Sequence, residues 1–76
     1  MSGEDALRLV KRSISIHGHR TSVSLEGAFW MRLKIVADRR DLSISALIAE
    51  IDDTRGEANL SSAIRVAVLE VFASTI

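Results

Sequence analysis

Apolar and polar residues alternate with a period of two from Arg12 to Leu25, and the chain then changes to helical periods. Ile14 and Ile16 alternate with Ser13, Ser15 and His17; beyond Gly18, Thr21, Val23 and Leu25 alternate with Arg20, Ser22 and Ser24. Period two with β-branched residues predicts strand. The apolar positions are even before Gly18 and odd after it, which in a straight strand would put the two halves on opposite faces. Gly18 therefore marks a bulge or a tight turn, and both one bulged strand and a hairpin satisfy the pattern.

Three helical segments are predicted after the strand region. The first runs from about Gly27 to Arg40 and carries Phe29, Trp30, Leu33, Val36 and Ala37 on one face. Glu26 stands at its N-terminus, where a negative charge suits the helix dipole. Asp41-Leu42 forms a short corner, and Ser43 is a good N-cap for the second helix. There Ile44, Leu47, Ile48 and Ile51 fall at i, i+3, i+4 and i+7, and the polar stretch from Asp52 to Ala58 should end the helix near Thr54. The third helix begins near Asn59 or Ser61 and reaches about Phe72. Leu60, Ala63, Ile64, Val66, Ala67, Val68, Leu69, Val71 and Phe72 cover nearly its whole circumference.

A helix that is apolar all round has to be buried all round, and a chain of 76 residues has little room for it. A domain this small buries only about 60% of its unfolded surface. With no cysteine, both disulfides and thiolate metal sites are ruled out, yet 47% of the residues are apolar. Together these features predict a homodimer whose core includes Val23, Leu25, Phe29, Trp30, Leu33, Leu47, Ile48, Ile51, Ile64 and Leu69. Residues 1–10 carry a weak amphipathic pattern, either a short helical turn or a disordered arm, so the domain proper is set at 11–76. No apolar run approaches the ~20 residues that span a bilayer, and Met1 to Asp5 does not resemble a signal segment. A cytoplasmic protein without membrane contact is expected.

The net charge is zero, but it is unevenly placed. Residues 6–40 carry +6, in Arg8, Lys11, Arg12, Arg20, Arg32, Lys34, Arg39 and Arg40 against Glu26 and Asp38; residues 41–76 carry −4. A basic front and an acidic rear suit a protein that turns one face to phosphates. Catalysis finds no support: no acid is placed to orient a histidine base, and no glycine-rich phosphate loop occurs. His17-Gly18-His19 offers too few ligands for a metal, with no carboxylate pair at a convincing spacing. No enzyme activity, metal site or cofactor is therefore expected.

Thr21-Ser22-Val23-Ser24-Leu25-Glu26 running into Phe29-Trp30 and Leu33 resembles the start of ribbon-helix-helix proteins, the Arc and MetJ repressor kind. Asp41-Leu42-Ser43-Ile44-Ser45 resembles their corner between helices. Lys11-Arg12-Ser13, Gly18-His19-Arg20-Thr21-Ser22 and Asn59-Leu60-Ser61-Ser62-Ala63-Ile64-Arg65 look like a compact bacterial subfamily, so that the likeness covers roughly residues 11–72.

This resemblance implies a mainly α fold with a short β-ribbon: an intertwined ribbon-helix-helix dimer, here with an additional C-terminal helix. It implies a transcriptional regulator in which one strand from each chain pairs antiparallel, the ribbon entering the major groove of double-stranded DNA. Arg20, Ser22 and Ser24 would then face the bases, Lys11 and Arg12 the backbone, and His19 would be a turn or DNA-contacting residue. The helix start at Ser43 and Ser45 would hold a phosphate, with Leu60-Ser61-Ser62-Ala63 a rival for that role. The partners implied are DNA and a second copy, with pairing of dimers into a tetramer on DNA left open. The alternative is a protein-interaction module, antitoxin-like or an assembly dimer, that docks a protein partner and has little sequence-specific DNA binding.

Overall fold

The computed structural model describes residues 6–74. The chain forms two strands, β1 (Leu9–Ile16) and β2 (His19–Glu26), followed by three helices, α1 (Gly27–Arg39), α2 (Ile44–Thr54) and α3 (Leu60–Ser74). The first half of the expected N-terminal arm lies outside the described residues, and β1 already begins at Leu9.

The parity change at Gly18 is a hairpin turn, not a bulge. His17 (φ 50°) and Gly18 (φ 80°) both lie at positive φ, the φ signs of a type I′ turn, whose twist matches that of the flanking strands. β1 and β2 pair antiparallel, from Ile16 opposite His19 to Leu9 opposite Glu26. The two-stranded ribbon is thus made by one chain, where the resemblance implied one strand from each of two chains. A two-residue turn with glycine at its second position lets the chain double back on itself, so that β1 and β2 pair within one copy.

The inner face of the hairpin carries Ile16, Val23 and Leu25, which join Trp30, Leu33, Val36, Ala37, Leu47, Ile48, Ile64 and Val68 in the buried core. Trp30 is fixed within it, its indole Nε1 donating to the Val10 carbonyl at 2.9 Å. The corner after α1 is a Schellman motif: Leu42 N–H donates to the Ala37 carbonyl (2.9 Å) and Asp41 N–H to that of Asp38 (3.2 Å). Asp41, not glycine, takes the left-handed position at φ 59°. Ser43 then caps α2 by accepting from Ala46 N–H at 3.0 Å. Gly56, at φ 62°, breaks the chain away after α2. Asn59 takes the corresponding place before α3, its Oδ1 accepting from Ser62 N–H. Glu26 stands at the N-cap of α1 without a side-chain capping bond; its carboxylate is used elsewhere.

The all-round apolar helix is not buried all round by its own chain. α3 turns Ile64 and Val68 into the core but leaves Val66 53% and Leu69 65% exposed. Of the other residues assigned to a dimer core, Val23, Leu25, Trp30, Leu33, Leu47, Ile48 and Ile64 are buried within the single chain, while Phe29 and Ile51 are partly buried against it.

Candidate nucleic-acid interface

Because β1 and β2 alternate, the face of the ribbon turned away from the helices is set by register. It pairs Lys11 with Ser24, Ser13 with Ser22 and Ser15 with Arg20. All are exposed except the half-buried Ser24. The Arg20 guanidinium donates to Ser13 Oγ at 3.0 Å, crossing the ribbon diagonally. The result is a strip of short hydroxyls carrying one ammonium and one guanidinium. Its chemistry is that of a surface offering donors to base edges and phosphates.

Glu26 closes the strip at the α1 end, and its charge is matched. Arg65 of α3 donates to both carboxylate oxygens, from Nε at 2.9 Å and Nη2 at 3.3 Å. That bond, before any other cause, holds the Glu26 carboxyl below the ordinary glutamate value of 4.5. Arg65 also lies over the Phe29 ring, 5.9 Å from its centroid.

The residues expected to contact DNA do not all share this strip. Lys11, Arg20, Ser22 and Ser24 do. Arg12 belongs to the opposite face and stacks on Trp30, its guanidinium carbon 5.1 Å from the ring centroid. His19 pairs with Ile16 and borders a cavity next to Asp52 and Asn59, so it is turned away from the strip. Ser43 and Ser45 sit at the start of α2, with the Ser43 hydroxyl already engaged in the cap.

A second basic surface joins some of these separated groups. A groove of about 610 Å³ beside the open end of the hairpin is lined by Arg8, Lys11, Arg12, Trp30, Lys34 and Ile44, among others. It brings Lys11 and Arg12 to the start of α2. Arg8 and Lys34 were not singled out in the sequence. Their only signal there is membership of the basic front half; which of its charges converge depends on how α1 packs against the hairpin.

The model of the ribbon-helix-helix domain family matches residues 9–72. The chain belongs to the ribbon-helix-helix family. Its fold is also that of an uncharacterized protein from Bordetella pertussis Tohama I, with a TM-score of 0.83 and 34% sequence identity. The superposition covers 95% of this chain and 62% of that one, so this chain spans less than two thirds of that protein's length. No curated protein matches the sequence. In this ribbon-helix-helix chain the ribbon is intrachain, one copy carrying both of its strands. Among the described residues, no helix is long and apolar enough to cross a membrane.

Proposed function

We propose that this ribbon-helix-helix protein binds double-stranded DNA as a homodimer and regulates transcription in the cytoplasm, without catalysing a reaction. The observation that carries this reading is the outer strip of the ribbon. Lys11, Ser13, Ser15, Arg20, Ser22 and Ser24 stand on one face, and the acid at its end is neutralised by Arg65. The major groove is wide enough to admit a two-stranded ribbon. Arg20 is the side chain suited to a guanine edge, through two donors to O6 and N7. The hydroxyls of Ser22 and Ser24 accept or donate to several bases, so they support binding more than discrimination.

The groove of Arg8, Lys11, Arg12 and Lys34 beside the start of α2 supplies the phosphate contacts in this reading. Four cations and a helix N-terminus converge there, a combination suited to an anion. The test is a titration of labelled duplex DNA with wild-type protein and with Arg20→Ala at two salt concentrations. Binding that weakens with salt, and weakens again in the variant, supports the reading; no binding at low salt contradicts it.

Docking of a protein partner is favoured by a different observation, the exposed Val66 and Leu69 on α3. Here they are assigned to the homodimer, because a chain of this size leaves apolar surface that a second copy can cover. A protein that stays monomeric in solution yet captures a different protein through α3 would favour the interaction reading.

A further inference from the structure

The hairpin turn brings together side chains that stand far apart in the sequence. His17 Nε2 lies 2.8 Å from Asp53 Oδ1, at the C-terminal end of α2. Asp52 is the third member: one ligand atom from each of His17, Asp52 and Asp53 lies within 4.8 Å of the other two. The same corner holds a cavity of about 410 Å³ bordered by His17, His19, Asp52 and Asn59, so a second imidazole stands beside the cluster. The missing carboxylates of the His17-Gly18-His19 motif are therefore supplied by the fold, from the end of α2.

We propose that His17, Asp52 and Asp53 form a binding site for a divalent first-row transition ion, with zinc as the ion used to test it. The donor set of imidazole and carboxylate is one that zinc, cobalt and nickel accept, whereas a hard ion such as calcium prefers six to eight oxygens. Ligand atoms about 3.4 Å apart are needed around a tetrahedral ion with bonds near 2.1 Å. Side chains with 52% and 61% exposure, as at His17 and Asp53, are free to close the remaining gap. Asp52 is the more constrained ligand, since Arg55 Nε donates to its Oδ1 at 2.6 Å. Its second oxygen is the one assigned to the ion, and the Arg55 bond would orient the carboxylate, as hydrogen-bonded outer groups do around metal ligands.

Such an ion would tie the tip of the ribbon to the end of α2, two elements otherwise linked at this point by the His17–Asp53 bond. The site is independent of any DNA contact, because neither Lys11 nor Arg20 takes part. Its test is direct binding of Zn²⁺ by calorimetry, with Co²⁺ absorption reporting the ligand field, on the full chain. The wild type should bind one ion per chain at micromolar concentrations and melt at a higher temperature with Zn²⁺ present. Asp53→Asn should weaken binding by at least about tenfold. His17→Asn removes the imidazole but leaves an Asn-Gly pair suited to the same turn, so it should fold yet bind no ion. Equal Zn²⁺ affinity in the wild type and in folded His17→Asn would overturn the proposal, as would no binding by the wild type.

Discussion

Arg65 and Glu26 form a two-pronged ion pair, Nε to Oε1 at 2.9 Å and Nη2 to Oε2 at 3.3 Å, across 39 residues of sequence. It ties the last residue of the ribbon, where α1 begins, to the additional C-terminal helix. The consequence is a defined pH dependence. The folded state holds the Glu26 carboxyl below its ordinary 4.5, so the folded chain binds this proton less readily than the unfolded chain. Stability from the pair is present above that value and is lost as pH falls through the lower, folded one. Glu26→Gln should therefore be less stable than the wild type at neutral pH, and the difference should vanish in acid. Chemical denaturation at a series of pH values measures it; a difference independent of pH would refute this account of the pair.

Trp30 does two jobs that separate on substitution. It fills the core, at 5% exposure, and it donates to the Val10 carbonyl. Trp30→Ala should cost about 3–5 kcal/mol. Trp30→Phe, which keeps most of the apolar volume and loses the donor, should cost about 1–2 kcal/mol. Urea unfolding followed by circular dichroism distinguishes the two; equal costs would mean that the hydrogen bond, not the packing, dominates.

The turn makes a further prediction. Nothing stands within 4 Å of where a Gly18 Cβ would be, so only its φ of +80° opposes a side chain. Gly18→Ala should then destabilise by about 1–2 kcal/mol through backbone strain alone, with the hairpin register intact. A nuclear magnetic resonance spectrum showing lost cross-strand contacts between Ile14 and Thr21 would contradict this.

Much of this architecture was legible in the sequence because it is local. The parity switch at Gly18, the Ser43 cap and the spacing of Ile44, Leu47 and Ile48 each depend on neighbours a few residues away. The choice between bulge and hairpin was not legible, since both reverse the parity. The inner face of Arg12 and His19 was legible too, because each shares the parity of the apolar positions on its side of Gly18, but the exposure of Leu69 was not. What the parity does not show is that Arg12 lies over Trp30, a contact made only when α1 docks against the hairpin. The approach of Asp52 and Asp53 to His17 likewise follows from where α2 ends in space, which periodicity does not encode.

Leu69 offers a test of association. In one chain it is 65% exposed, so Leu69→Glu should leave the monomer fold almost unchanged. If α3 forms the homodimer contact, the same change should abolish association. Sedimentation equilibrium at micromolar protein, alongside circular dichroism, reads both. The wild-type unfolding midpoint, followed by the single Trp30, should also rise with protein concentration. A folded wild-type monomer, or a Leu69→Glu dimer of unchanged affinity, would contradict this assignment.

DNA binding through the outer face of the ribbon is tested by fluorescence anisotropy of labelled duplex DNA taken from upstream of the protein's own coding sequence. Wild type, Arg20→Ala, Lys11→Ala and Arg39→Ala should be titrated at several salt concentrations. The logarithm of the affinity should fall linearly with the logarithm of the salt concentration, with a slope of roughly −0.9 per phosphate neutralised. Arg20→Ala should cost about 1–3 kcal/mol and relax discrimination between sequences, while Lys11→Ala should weaken all sequences alike and reduce the slope by about 1. Arg39, at the far end of α1, should matter little. The opposite order, with Arg39 critical and Arg20 silent, would show that the outer face of the ribbon is not the DNA-binding surface.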